Sequence, residues 1–168
     1  MIGQTIAFVL GNLPAFLFVA ALVMAALTRT PAAASERYLA WLLLLPVGGS
    51  GLWAALFHLA FPALAAAKIG WEPSPFQFEV GMADLAIGVT SCLSFWRDLS
   101  FKAAVVVVNA IFLLGDAVGH VGQMIVAGNF APGNAGTPFF TDIILPVLTI
   151  ALLFAAHRSE RAQAIRTQ

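Results

Sequence analysis

Five stretches of this chain are long and apolar enough to cross the hydrocarbon core of a bilayer, and little polar sequence separates them. They cover residues 6–27, 38–60, 78–95, 103–127 and 139–156. A spanning helix needs about 20 predominantly apolar residues. Within a bilayer each segment must satisfy its own backbone polar groups, which an α-helix does. The predicted fold is therefore all-α: an integral membrane bundle of five transmembrane helices, a single domain over residues 1–168.

Composition agrees. Charged residues make up 10% of the chain, against about 25% in a soluble domain. Too little polar surface exists to face water all round. The formal net charge is zero, so bulk electrostatics gives no attraction for nucleic acid. Cys92 is the sole cysteine, which excludes a dithiol redox mechanism; it reads as an inert packed thiol. No Lys or Arg precedes the first apolar stretch, and that stretch exceeds a usual signal-peptide core. It is expected to be a retained helix.

Lys and Arg placement sets the predicted orientation. Arg29, Arg37, Arg97, Lys102, Arg158, Arg161 and Arg166 fall on one side if there are five spans, and Lys68 alone falls on the other. The positive-inside rule then puts the N-terminus outside and the C-terminus in the cytoplasm. A multi-pass protein of a prokaryotic inner or plasma membrane is expected, with the lipid bilayer as its first partner.

The two outer connections carry unusual sequence. Residues 61–77 are largely apolar, with Pro62, Trp71, Pro73 and Pro75, and are expected at the interface with Trp71 in the aromatic belt. Residues 128–138 carry no charge and are dense in Gly, Pro and Asn, the chemistry of tight turns. They form either a plain connector or a lid over a site. The second span holds Pro46, Gly48, Gly49 and Gly51 near its centre. Close packing through small residues is one explanation. A discontinuous helix that offers carbonyls to an ion is the other.

The informative residues are polar groups inside the spans. In the fourth, Asn109, Asp116, His120 and Gln123 fall within about 60° at 100° per residue. Gly115, Gly119 and Gly122 lie beside this stripe and would permit close helix approach. The third carries Gln77, Gly81, Asp84, Gly88 and Ser91 in one line, with Glu79 about 200° from Gln77. His58 stands near the outer end of the second span. Asp142 opens the fifth, where a helix N-terminus favours an anion. An acid at the centre of a span costs about 2.5–3.5 kcal/mol even on the lenient insertion scale. Asp84 and Asp116 must therefore face the interior, and no Lys or Arg lies within any span to neutralise them. A proton, a histidine or a bound cation must do so.

His58, Glu79, Asp84, Asp116 and His120 are thus the predicted metal or proton site, supported by Trp71, Gln77, Asn109, Gln123, Asn134 and Asp142. Asp116 and His120 are one turn apart, a workable chelating pair for Zn, Fe or Mn. No short metal-binding motif accompanies them.

Two further stretches carry a resemblance. Trp-Glu-Pro-Ser-Pro-Phe-Gln-Phe-Glu occupies residues 71–79, and Asn-Phe-Ala-Pro-Gly-Asn-Ala-Gly occupies residues 129–136, followed by Asp-Ile-Ile-Leu-Pro at 142–146. With Asp116 and His120 they resemble a family of small prokaryotic membrane proteins classed as a domain of unknown function. The resemblance covers roughly residues 41–152. It implies a polytopic membrane fold and no activity.

Three functions compete. The first is a membrane enzyme or metal handler with a buried cation site. The second is a proton-coupled transporter or channel subunit, which with so few helices would act as a homo-oligomer. The third is a structural subunit of a larger membrane assembly.

Overall fold

The computed structural model describes residues 2–166; Met1, Thr167 and Gln168 lie outside the described residues. Among the described residues every regular element is helical. In order these are α1 (Ile2–Gly11), α2 (Leu13–Leu27), α3 (Ala34–Leu42), a π-helical segment (Leu43–Gly49), α4 (Ser50–Ala60), α5 (Pro62–Ile69), α6 (Phe76–Ser94), α7 (Leu99–Ala127), α8 (Pro132–Ala135) and α9 (Thr137–Arg166).

Among the described residues three helices are long and apolar enough to cross a membrane: Ala34–Ala60, Leu99–Ala127 and Pro132–Ile165. Leu13–Leu27 is apolar but shorter, and the polar stripe of α6 lowers its apolar content. On α7 the exposed side chains include Val107, Ile111, Leu114, Val118, Val121 and Ile125. Their spacing of three and four residues makes one continuous apolar face. Water would disfavour such a face strongly, and lipid would not.

The expected span at 6–27 is two helices, interrupted at Asn12, with Pro14 in the first turn of α2. Of the two readings of the second span, the discontinuous helix does not occur. The chain stays helical from Ala34 to Ala60 and widens into π geometry around Pro46. Proline has no N–H to donate, and its ring crowds the carbonyl four residues back. A wider turn relieves that crowding without ending the helix.

The glycines after this turn hold α4 against α6. A Cβ on Gly51 would stand 3.1 Å from the Gly88 Cα, and one on Gly88 would stand 2.8 Å from the Leu52 N. The two backbones touch there. By contrast, a Cβ added to Gly115 or Gly122 would meet nothing within 4 Å, and one on Gly119 would meet only the rim of Trp71 at 4.0 Å. The expectation that the glycines of α7 mediate close helix approach is corrected: they lie away from other helices.

At one end of the bundle, the end of α2 and the starts of α3 and α7 meet. Arg37 Nε donates to the Ala25 carbonyl at 2.7 Å, and buried Lys102 pairs with Glu36 at 3.2 Å. At the other end, the start of α6, α5, α8 and the start of α9 gather around the end of α7. Gln77 Nε2 donates to the Pro62 carbonyl at 2.8 Å, and Asn129 Nδ2 to those of Ile69 and Gly70 at 3.0 and 3.1 Å.

Candidate functional site

The second end encloses a cavity of about 500 Å³. Its walls are mostly apolar, from residues such as Val47, Trp53, Phe57, Ile87, Phe112 and Leu145. Into it come side chains from six elements: His58 of α4, Lys68 of α5, Asp84 of α6, Asn109, Asp116 and His120 of α7, and Asp142 of α9, with Pro46 of the π turn in the wall. Asp84, Asn109, His120 and Asp142 are buried, Asn109 to 1% exposure.

His120 is held from outside the cavity by the two connections. Asn134, fully buried, donates from Nδ2 to the carbonyls of His120 (3.2 Å) and Asn129 (2.9 Å). Those two bonds fix which end of the amide is oxygen. Asn134 Oδ1 accepts from Trp71 Nε1 at 3.1 Å and stands 2.8 Å from His120 Nδ1. An amide oxygen only accepts, so His120 Nδ1 must carry the hydrogen. The ring's other nitrogen, Nε2, faces Asp142 Oδ2 at 3.5 Å. The Trp71 ring lies 5.9 Å from the His120 ring and backs it. Local sequence supports this clamp. Gly70 ends α5 at a φ of 76°, a left-handed turn that suits glycine. Gly133 presses so close to the Lys68 carbonyl that a Cβ would stand 2.6 Å from it.

Among the described residues, several buried polar atoms of this region have no hydrogen-bond partner: Asn109 Nδ2, His58 Nδ1 and Ser50 Oγ, all on cavity-lining residues. A buried donor without an acceptor is costly, about 1–3 kcal/mol.

Of the predicted site residues, His58, Asp84, Asp116, His120, Asn109 and Asp142 line the one cavity, and Trp71 and Asn134 clamp His120 from behind. Three do not belong. Glu79 is exposed, on the far side of α6 from Asp84, as its angular offset requires. Gln77 bonds to Pro62 instead. Gln123 has the right azimuth but lies a turn beyond the cavity, where its carbonyl accepts the Gly128 and Asn129 N–H groups as α7 ends. His120 Nδ1 is engaged by Asn134, and its Nε2 faces Asp142 of α9. Among the described residues no group of three or more His, Cys, Asp or Glu gathers as a metal ion would need.

Lys68 is the residue that sequence reasoning missed. No span contains it, yet α5 folds back and brings it to the cavity, with Nζ 3.6 Å from a Cβ placed on Gly11. A fixed positive charge thus stands on the cavity wall although none lies within a span. The signal was available. Residues 62–70 begin with proline and end with glycine, the punctuation of a short helix, and Lys68 is their one charge. Among the described residues it forms no ion pair with the three carboxylates.

A family model described as a family of unknown function (DUF6790) matches residues 11–162. The chain belongs to that family. No curated protein and no solved structure matches it.

Proposed function

We propose that this is a five-span membrane protein folded as one domain, N-terminus outside and C-terminus cytoplasmic, whose cavity in the outer half binds a small ligand and exchanges a proton with it. The observation that carries this reading is the orientation of His120. Its Nδ1–H is committed to Asn134, so only Nε2 can gain or lose a proton, and Nε2 faces Asp142 and the cavity. Histidine suits such exchange because its second ring nitrogen can either accept or carry a proton. Asp142 serves as counter-ion to the charged ring or as proton donor to the neutral one. Asp84 and Asp116 extend the acidic lining inward. A proton-coupled carrier fits this arrangement better than a metal centre, since among the described residues no three potential ligands gather.

Support for the topology comes from the positive charges. Arg37 donates to the Ala25 carbonyl of α2, and Lys102 donates to Glu36 and to the backbone carbonyl of Arg97, at the end away from the cavity. Two measurements test the proposal. Reconstituted protein is titrated by infrared difference spectroscopy in the carboxylic C=O region. A titrating band that loses intensity in Asp142→Asn is expected; spectra unchanged by both Asp142→Asn and Asp116→Asn would sink the reading. In a Cys92→Ser background, a membrane-impermeant maleimide should label Ser74→Cys on intact cells and Ala162→Cys only after lysis. The reverse pattern rejects the orientation.

A further inference from the structure

We infer that the cavity ligand is a lipophilic amine: an apolar body carrying one protonated nitrogen, with a hydrogen-bond acceptor close to that nitrogen. This rests on the cavity being the working site, as proposed above, and adds what it takes. Four observations converge. The volume, about 500 Å³, lies within the range of about 300–1,000 Å³ of sites for drug-sized ligands.

The charge balance leaves a place for a cation. Three carboxylates line the cavity. Asp142 is matched by His120. Asp84 and Asp116 have neither an ion pair nor a hydrogen bond from another side chain among the described residues. An ammonium group between them supplies what the fold withholds.

The third observation is Asn109. Its side chain is buried to 1% exposure on the same face of α7 as Asp116, and its Nδ2 has no acceptor. A ligand oxygen or a second nitrogen near the ammonium would satisfy it. The fourth concerns the way in. The cavity-lining residues Leu10, Leu64 and Val80 are also exposed, Leu64 to 58%. They form an apolar rim where lipid would lie. Lys68 is exposed at the same mouth. It repels a cation at the rim while the acids attract it deeper, so the amine enters head first and the apolar body fills the outer part.

Three isosteric probes decide the matter on the full-length protein in nanodiscs, with empty nanodiscs as the blank: 1-naphthylmethylamine, 1-naphthalenemethanol and 1-naphthoic acid. Equilibrium dialysis should show saturable binding of the amine, at least tenfold tighter than the alcohol and with no saturable binding of the acid. Asp84→Asn and Asp116→Asn should each weaken the amine at least tenfold and leave the alcohol unchanged, with helical content and elution volume checked. Equal affinity for amine and alcohol, preference for the acid, or no saturable binding of any probe overturns the inference. Should a variant fail to fold, the probe series on the unaltered protein still decides. The infrared titration separates the two claims. If amine preference fails while the carboxyl band still responds to Asp142→Asn, the proton site stands and only the ligand class falls.

Discussion

The two ends of the bundle use buried charge in opposite ways. At the Lys102 end the buried charge has its partners, although the Ser91 hydroxyl has none among the described residues. Lys102 donates to Glu36 and to the Arg97 carbonyl, Arg37 covers a free carbonyl of α2, and Asp98 accepts the Phe101 N–H to cap α7. These contacts tie helix ends together. At the His120 end, the same residue types line a cavity and several polar atoms go unanswered. Order is just as tight there, but it is applied to the wrapping. Asn129 ties the two connections together, and Asn134 and Trp71 position one ring. A closed charge network joins helices, whereas an open one held by a closed frame is what a ligand site requires.

That contrast can be broken at either end. Lys102→Met should have the largest effect on stability, about 3 kcal/mol, because Glu36 and the Arg97 carbonyl lose a shared partner. Unfolding in mixed micelles, followed by helical signal, measures it. Amine binding by the folded fraction should not change. Asn134→Ala should cost about 2–3 kcal/mol, since it strands the His120 and Trp71 donors. Its sharper signature is spectroscopic. Nitrogen-15 spectra of labelled histidine should place the neutral-ring hydrogen of His120 on Nδ1 in the parent, and the variant should admit the Nε2–H form. An Nε2–H ring in the parent would refute the clamp.

Gly133→Ala comes next, at about 1–2 kcal/mol, because the added methyl meets the Lys68 carbonyl. It should also weaken amine selectivity, as α5 and Lys68 shift together. Trp71→Phe keeps the ring and removes one donor, so about 1 kcal/mol is expected. Asp142→Asn should change stability least, by less than about 1 kcal/mol, while removing the titrating carboxyl band. A loss as large as that of Lys102→Met would mean that both ends are structural and that the contrast is false.

Much of the site was legible one helix at a time. Asn109, Asp116 and His120 share a face because their spacing fits 3.6 residues per turn, and the energetic cost of acids in lipid turns that face inward. Periodicity gives azimuth but not depth, so Gln123 fitted the stripe and still missed the cavity. Glu79 failed for the opposite reason, having suitable depth and the wrong azimuth. The glycines divide likewise. Gly51 and Gly88 let two backbones touch, while Gly115 and Gly122 face open space; small size permits close approach without naming a neighbour.

The sequence by itself determined that the chain is helical, apolar on its outside and acidic within, because composition and period act locally and hydrocarbon tolerates no unpaired backbone. Only the tertiary structure decided which acid meets His120, which nitrogen of that ring faces the cavity, and that Lys68 reaches the cavity. Each depends on how two connections fold back over the helix ends. Those paths are set by contacts between residues some 60 positions apart, such as Asn129 with Ile69 and Trp71 with Asn134, and no local rule reaches that far.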